Sequence, residues 1–129
     1  MKIQFVPLFI CIGILFSLAA CKSETPETLI VSKWMLQDMI LAPGMTLPDS
    51  MKAEMLKSVT LEFTADHQYD FKGMGDNHST GVYKLSNDGK VLTLSPTGTE
   101  KPYDNPVDEL TKTKLVMTDP MGNKLVCKH

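Results

Sequence analysis

From residue 59 onward the chain is a string of short apolar/polar alternations, each closed by a turn, and few architectures accept such a string. Val59, Leu61 and Phe63 alternate with Thr60, Glu62 and Thr64. That period of two puts one face of a strand on a core and the other in water. Ala65-Asp66-His67 breaks the run, and Tyr69, Phe71 and Gly73 then alternate with Gln68, Asp70 and Lys72 as the hairpin partner. A polar loop over 75–79 leads to a strand over 81–85, the turn Ser86-Asn87-Asp88-Gly89 and a strand over 91–95. Asn-Asp-Gly is the strongest hairpin signal in the chain, because these residues tolerate the backbone that tight turns require. After a turn over 96–98, residues 100–108 read as extended, but Pro102 and Pro106 confine them to an edge or a loop. Residues 115–117, the turn 119–122 and residues 125–127 form a last hairpin.

Upstream, residues 29–41 read as a first strand with Trp34, Leu36 and Ile40 on one face and Asp38 between them, ended by Ala42-Pro43-Gly44. Residues 46–58 are the one good helix candidate. Thr46 or Asp49 caps it, and Met51, Met55 and Val59 recur at four-residue spacing with Ala53 and Leu56 nearby. The expected fold is all-β: a small up-and-down β-barrel of seven to eight strands with one short helix after the first strand. A sandwich without closure is the alternative, because pairing of the first strand with the last leaves no local signal.

The N-terminus has a different texture. Met1-Lys2 is followed by an almost unbroken apolar run over 3–18, then Ala19, Ala20 and Cys21, which is the order of a secretory signal peptide. An uncleaved membrane helix is the competing reading, although the run barely reaches bilayer length. Leu18-Ala19-Ala20-Cys21 resembles the bacterial lipobox, in which the cysteine sulfur receives diacylglycerol and the chain is cut just before it. That resemblance implies two or three acyl chains, palmitate among them, on Cys21, enough for stable anchoring. The expected organisation is a signal peptide over 1–20, lipidated Cys21 with a flexible tether over 21–28, and one domain over 29–129. Lys22 stands where inner-membrane lipoproteins of enterobacteria carry Asp, so an outer-membrane location is expected, on the periplasmic face or the cell surface.

Composition narrows the partners. Loss of Lys2 takes the formal charge from −2 to −3, and there is no arginine. Nucleic acid is excluded as a partner, since binding it needs a cationic surface that releases counterions. Tight anionic substrates also lose their usual bidentate ligand. With Cys11 in the leader and Cys21 at its end, Cys127 is the one ordinary thiol. No intramolecular disulfide can form, so packing alone must hold an exported domain. Flanked by Leu125 and Val126, Cys127 reads as a buried strand cysteine rather than a reactive one.

Several runs are also familiar. Ser32-Lys33-Trp34 resembles the Gly-x-Trp entry of lipocalins, with Ser in place of Gly. The runs Leu61-Glu62-Phe63-Thr64-Ala65-Asp66-His67-Gln68-Tyr69, Gly81-Val82-Tyr83-Lys84-Leu85 and Gly89-Lys90-Val91-Leu92-Thr93-Leu94 resemble, in that order, the small lipocalin-like lipoproteins of Bacteroidetes. The resemblance spans residues 29–129 and rests on strand patterns and turns. It implies a lipid-anchored domain with a lipocalin-like calyx, and it brings no catalytic residues.

If the barrel encloses a ligand, Trp34, Leu61, Phe63, Tyr69, Phe71, Tyr83 and Leu92 are the candidate lining; the same side chains could instead fill it. Asp66, His67, Asp70, Asp76 and His78 are of metal-ligating type, and Met35 with Met39 and Met51 with Met55 have a spacing that suits Cu(I). Turn residues are usually just solvated, and methionines at this spacing are usually core filler, so neither a metal nor a cofactor is expected. No Gly-x-Ser-x-Gly elbow, His-Glu-x-x-His helix, phosphate loop or Cys-x-x-Cys is present, and no enzyme is expected. The leading expectation is a lipid-anchored envelope protein that binds a small hydrophobic molecule or lipid at the barrel mouth. The alternative is a surface adaptor or structural lipoprotein with a filled barrel, meeting a protein or glycan through loops 73–79 and 100–108.

Overall fold

The computed structural model describes residues 24–98 and 101–129; Cys21 and the expected signal peptide lie outside the described residues. Eight strands run in chain order around a closed antiparallel barrel: β1 (Ser32–Ile40), β2 (Thr60–Phe63), β3 (Gln68–Lys72), β4 (His78–Leu85), β5 (Val91–Pro96), β6 (Tyr103–Leu110), β7 (Lys114–Thr118) and β8 (Lys124–Lys128). Closure comes from β1 pairing with β8, from Met35↔Lys128 to Ile40↔Lys124, so the open sandwich is ruled out. Helix α1 (Pro26–Ile30) precedes β1, and helix α2 (Asp49–Ser58) joins β1 to β2.

Helix α2 begins at Asp49 behind Pro48 with no side-chain cap, so neither Thr46 nor Asp49 caps it as expected, and Asp49 instead sits in the first turn, where a negative charge suits the helix dipole. Pairing of β1 with β2 covers only Ser32↔Phe63 to Met35↔Thr60, and α2 packs against β1. Met55 and Leu56 turn onto the core, and Lys52 reaches Asp38 at 3.1 Å. The Lys52 ammonium, helped by the Met39 N–H, holds the Asp38 carboxyl below its ordinary value. The pair is solvent-exposed, so it steadies the helix by no more than about 1 kcal/mol.

Strand β1 departs from the simple alternation. Leu36 pairs with Cys127 but Asp38 with Val126, so Gln37 is an extra residue in a β-bulge. Beyond it the faces exchange: Trp34, Leu36 and Met39 are buried, whereas Ile40 is 52% exposed. Ile40 therefore does not share the face of Trp34 and Leu36, and Met35 and Met39 point to opposite sides of the wall.

Residues 103–110 correct another expectation. They form a full barrel strand, paired with β5 from Val91↔Pro106 to Leu94↔Tyr103 and with β7 from Val107↔Met117 to Leu110↔Leu115. Proline fits because successive N–H groups point to opposite neighbours. Val107 N donates to Lys90 O at 2.8 Å on the β5 side, so the missing donor of Pro106 falls on the β7 side, just before that ladder begins. A bulge between Val107 and Glu109 follows.

The inward faces meet in one core in which Ile30, Trp34, Phe63, Leu92 and Leu115 are fully buried. Each large side chain so buried favours folding by roughly 1.5–3 kcal/mol. One end of the barrel is closed, and α1 closes it. Thr25 caps α1 by accepting from Thr28 N, and Pro26 starts the helix. Pro26 lies on Gly89 in the turn after β4, Glu27 meets His67 in the turn after β2 at 2.9 Å, and Glu24 meets Lys112 in the turn after β6 at 3.7 Å. Residues 26–28, expected to belong to a flexible tether, are instead helical and packed on the barrel: from Pro26 on, the chain is fastened to it. Ile30 enters the core, and Trp34 Nε1 donates to its carbonyl at 3.0 Å.

Candidate functional site

The opposite end, formed by the connections after β1, β3, β5 and β7, is open. Inward-facing residues at the last level of the strands surround a cavity of about 150 Å³ there. Leu61, Phe71, Leu94, Met117 and Leu125 supply apolar walls from five strands, Ser79 and Tyr103 stand at β4 and β6, and Asp119 and Pro120 come from the turn after β7. Leu61, Leu94 and Met117 are 3–4% exposed, whereas Tyr103 is 36% exposed. Hence the walls deepen from a wet rim to a dry floor. The cavity adjoins a shallow groove of about 520 Å³ over the β3–β5 rim, with Phe71, Ser79 and Tyr103 common to both.

Of the seven residues expected to line a pocket, Leu61 and Phe71 reach this mouth. Trp34, Phe63, Tyr83 and Leu92 fill the barrel below it. Trp34 meets the His129 ring edge-on at 4.7 Å, and Phe63 meets Tyr83 edge-on at 4.9 Å. Tyr83 donates its hydroxyl to Thr64 O at 2.7 Å. Burial first, and then the Glu27 and Asp66 carboxylates, raise its pKa above the ordinary value. Tyr69 is buried, with its hydroxyl 3.2 Å from Ser79 Oγ. Tyr83 also forms part of a surface cleft of about 360 Å³ between α1 and the turn after β2, with Val31, Ala65 and His67.

Asn105, on β6, had no part in the sequence reading. It lies in the cavity wall and is 1% exposed. Its Nδ2 donates to Leu92 O at 3.2 Å across the β5–β6 pair, which turns Oδ1 away from that strand. Among the described residues none donates to Oδ1. The signal for Asn105 was the alternation Tyr103, Asn105, Val107, hidden by reading the two prolines as strand breakers.

The side chains of metal-ligating type disperse. His67 pairs with Glu27 and His78 with Asp70 at 2.7 Å, and among the described residues no three His, Cys, Asp or Glu side chains converge as ligands. Cys127 is buried on β8, and burial pushes its thiol up to about 12.

An eight-stranded up-and-down barrel, plugged at one end and open at the other over an apolar cavity, has lipocalin-like architecture. Solved structures agree. The chain is similar to a lipocalin-like protein from Bacteroides uniformis, with a TM-score of 0.55 and 17% identity, over 77% of this chain and 96% of that one. It is likewise similar to an uncharacterized protein from Bacteroides eggerthii, with a TM-score of 0.54 and 17% identity, over 78% of this chain and 99% of that one. No protein-family model and no curated protein matches the chain.

Proposed function

We propose that this chain is a non-catalytic, lipid-anchored protein of the bacterial cell envelope, attached through Cys21, whose barrel mouth takes the apolar part of a small hydrophobic molecule or lipid. The observation that carries this reading is where free volume enters the barrel: at the closed end Ile30, Trp34, Phe63 and Leu92 fill the interior and the clefts lie outside it against α1, whereas at the open end a largely apolar cavity reaches in between the strands. At about 150 Å³ it is smaller than the roughly 300–1,000 Å³ of a pocket that swallows a whole ligand. It suits one ring or a chain end, and the adjoining groove takes the remainder. The lipobox-like residues 18–21 support the anchor, and Lys22, in the place of the Asp of inner-membrane lipoproteins, favours the outer membrane.

A second reading, an adaptor that binds a protein or glycan through its loops, draws support from the filled lower barrel and from Met121, 67% exposed in the turn after β7. Native mass spectrometry of the protein purified from membranes of its own host separates the two. Covalent acyl mass on Cys21 together with a discrete adduct lost on denaturation is the expected result. Acyl mass with no adduct, and none gained from a lipid extract, would favour the adaptor. An unmodified Cys21 would remove the anchor.

A further inference from the structure

Two buried amides distinguish themselves among the described residues. Asn123 satisfies both ends of its side chain: Oδ1 accepts from Ala42 N at 2.9 Å, and Nδ2 donates to Asp119 Oδ2 at 3.3 Å. Asn105 satisfies one end, through Nδ2 to Leu92 O. Its carbonyl oxygen, on a side chain 1% exposed in the cavity wall, has no donor among the described residues, whereas the other polar lining, Ser79, Tyr103 and Asp119, stands toward the rim and the turn after β7. A buried acceptor in that state costs stability that an apolar residue of the same shape would not. A strand position facing a barrel interior is usually given to Leu or Val, as at Leu92 and Val107 on either side of Asn105.

Volume and polarity together define a ligand class. An apolar cavity of about 150 Å³ has room for one benzene-sized ring. We propose that the mouth selects a ring-sized apolar group that carries a hydroxyl or N–H donor, a simple phenol being the minimal case, and that Asn105 Oδ1 accepts the donor's hydrogen bond. Leu61, Leu94 and Met117 hold the ring, and any remaining part of the ligand leaves past Tyr103 into the groove. This deepens the reading of the mouth as a ligand site and rests on it. A site with a built-in acceptor discriminates by the cost of leaving that acceptor unpaired, so donor-free analogues of the same size are disfavoured.

The test is titration of the natural protein with phenol, anisole and toluene, by calorimetry and by the Asn105 side-chain amide resonance. Phenol is expected to bind about tenfold more tightly than anisole or toluene. It should shift the Asn105 resonance, and Asn105→Leu, close in volume, should abolish the preference while still binding toluene. Equal binding of all three by the natural protein would overturn the role of Asn105 and leave the mouth as a plain apolar site. Binding of none would overturn the mouth as a ligand site. Neither the three-ligand comparison nor the Asn105 resonance needs a variant, so together they decide the matter even if Asn105→Leu folds poorly: a preference for phenol that leaves the Asn105 resonance unmoved would assign the acceptor to Ser79 or Asp119 and overturn the role of Asn105.

Discussion

At the scale of single residues, burial decides chemistry. Cys127 is the thiol that an exported chain without disulfides would be suspected of using, but 3% exposure and a pKa near 12 keep it protonated and shielded. Iodoacetamide at pH 8 is expected to leave it untouched in the folded protein and to modify it once urea unfolds the chain. The same shift sets an alkaline limit. Between the ordinary thiol value of 9.0 and about 12, the unfolded state gives up the Cys127 proton while the folded state keeps it. The unfolded state binds fewer protons there, so the stabilisation present below pH 9 is lost as pH rises through that window. Tyr83, also raised, acts in the same direction above its ordinary value of 10.0. Urea denaturation at stepped pH checks the slope, which Cys127→Ala should lessen. Alternation in the sequence revealed that Trp34, Leu61, Phe63, Phe71 and Leu92 face inward. It carried no information on height along the barrel axis, which is why packed residues and mouth residues were indistinguishable before the register was known.

At the scale of elements, the legible ones carry a local signal. Strands β2 to β5 are bounded by turn residues and alternate cleanly, and the sequence reading placed them within a few residues. Helix α1 was missed because five residues are too few to show a helical period, and its stability comes from docking on three turns rather than from propensity. Strand β6 was discounted for its prolines, and the β1 bulge, a single extra residue, is invisible without the partner strand. Pairing also explains Gly81. A Cβ there would stand 2.1 Å from Ser95 O and 2.9 Å from Pro96 Cα, so β4 and β5 approach too closely at this point for any side chain. Gly81→Ala is expected to destabilise the barrel by about 2 kcal/mol, measured as a lower urea midpoint. Faster amide exchange in residues 79–83 than in β7 would localise the damage to the β4–β5 seam.

At the scale of the whole molecule, closure by β1 and β8 depends on contacts between the two ends of the chain, which no window of sequence contains. The docking of α1 has a consequence for how the molecule stands. Pro26 lies on Gly89 and Glu27 meets His67, both at the closed end. With acyl chains on Cys21, the five residue steps to Pro26, at most about 18 Å of chain, separate the bilayer from that docked helix. The eight residues of β4, tilted as barrel strands are, raise the mouth roughly 20 Å farther out. If the protein is lipidated as proposed, in vesicles bearing it a fluorophore at Thr113→Cys, exposed in the turn after β6, is expected to be quenched by spin-labelled lipid and one at Met121→Cys spared; equal quenching would mean that the barrel lies on its side. Anchored through Cys21 as proposed and standing upright, the protein would be a cup held away from the leaflet that carries it. It would fill from the aqueous space or from whatever approaches across it, not by skimming the membrane that carries it.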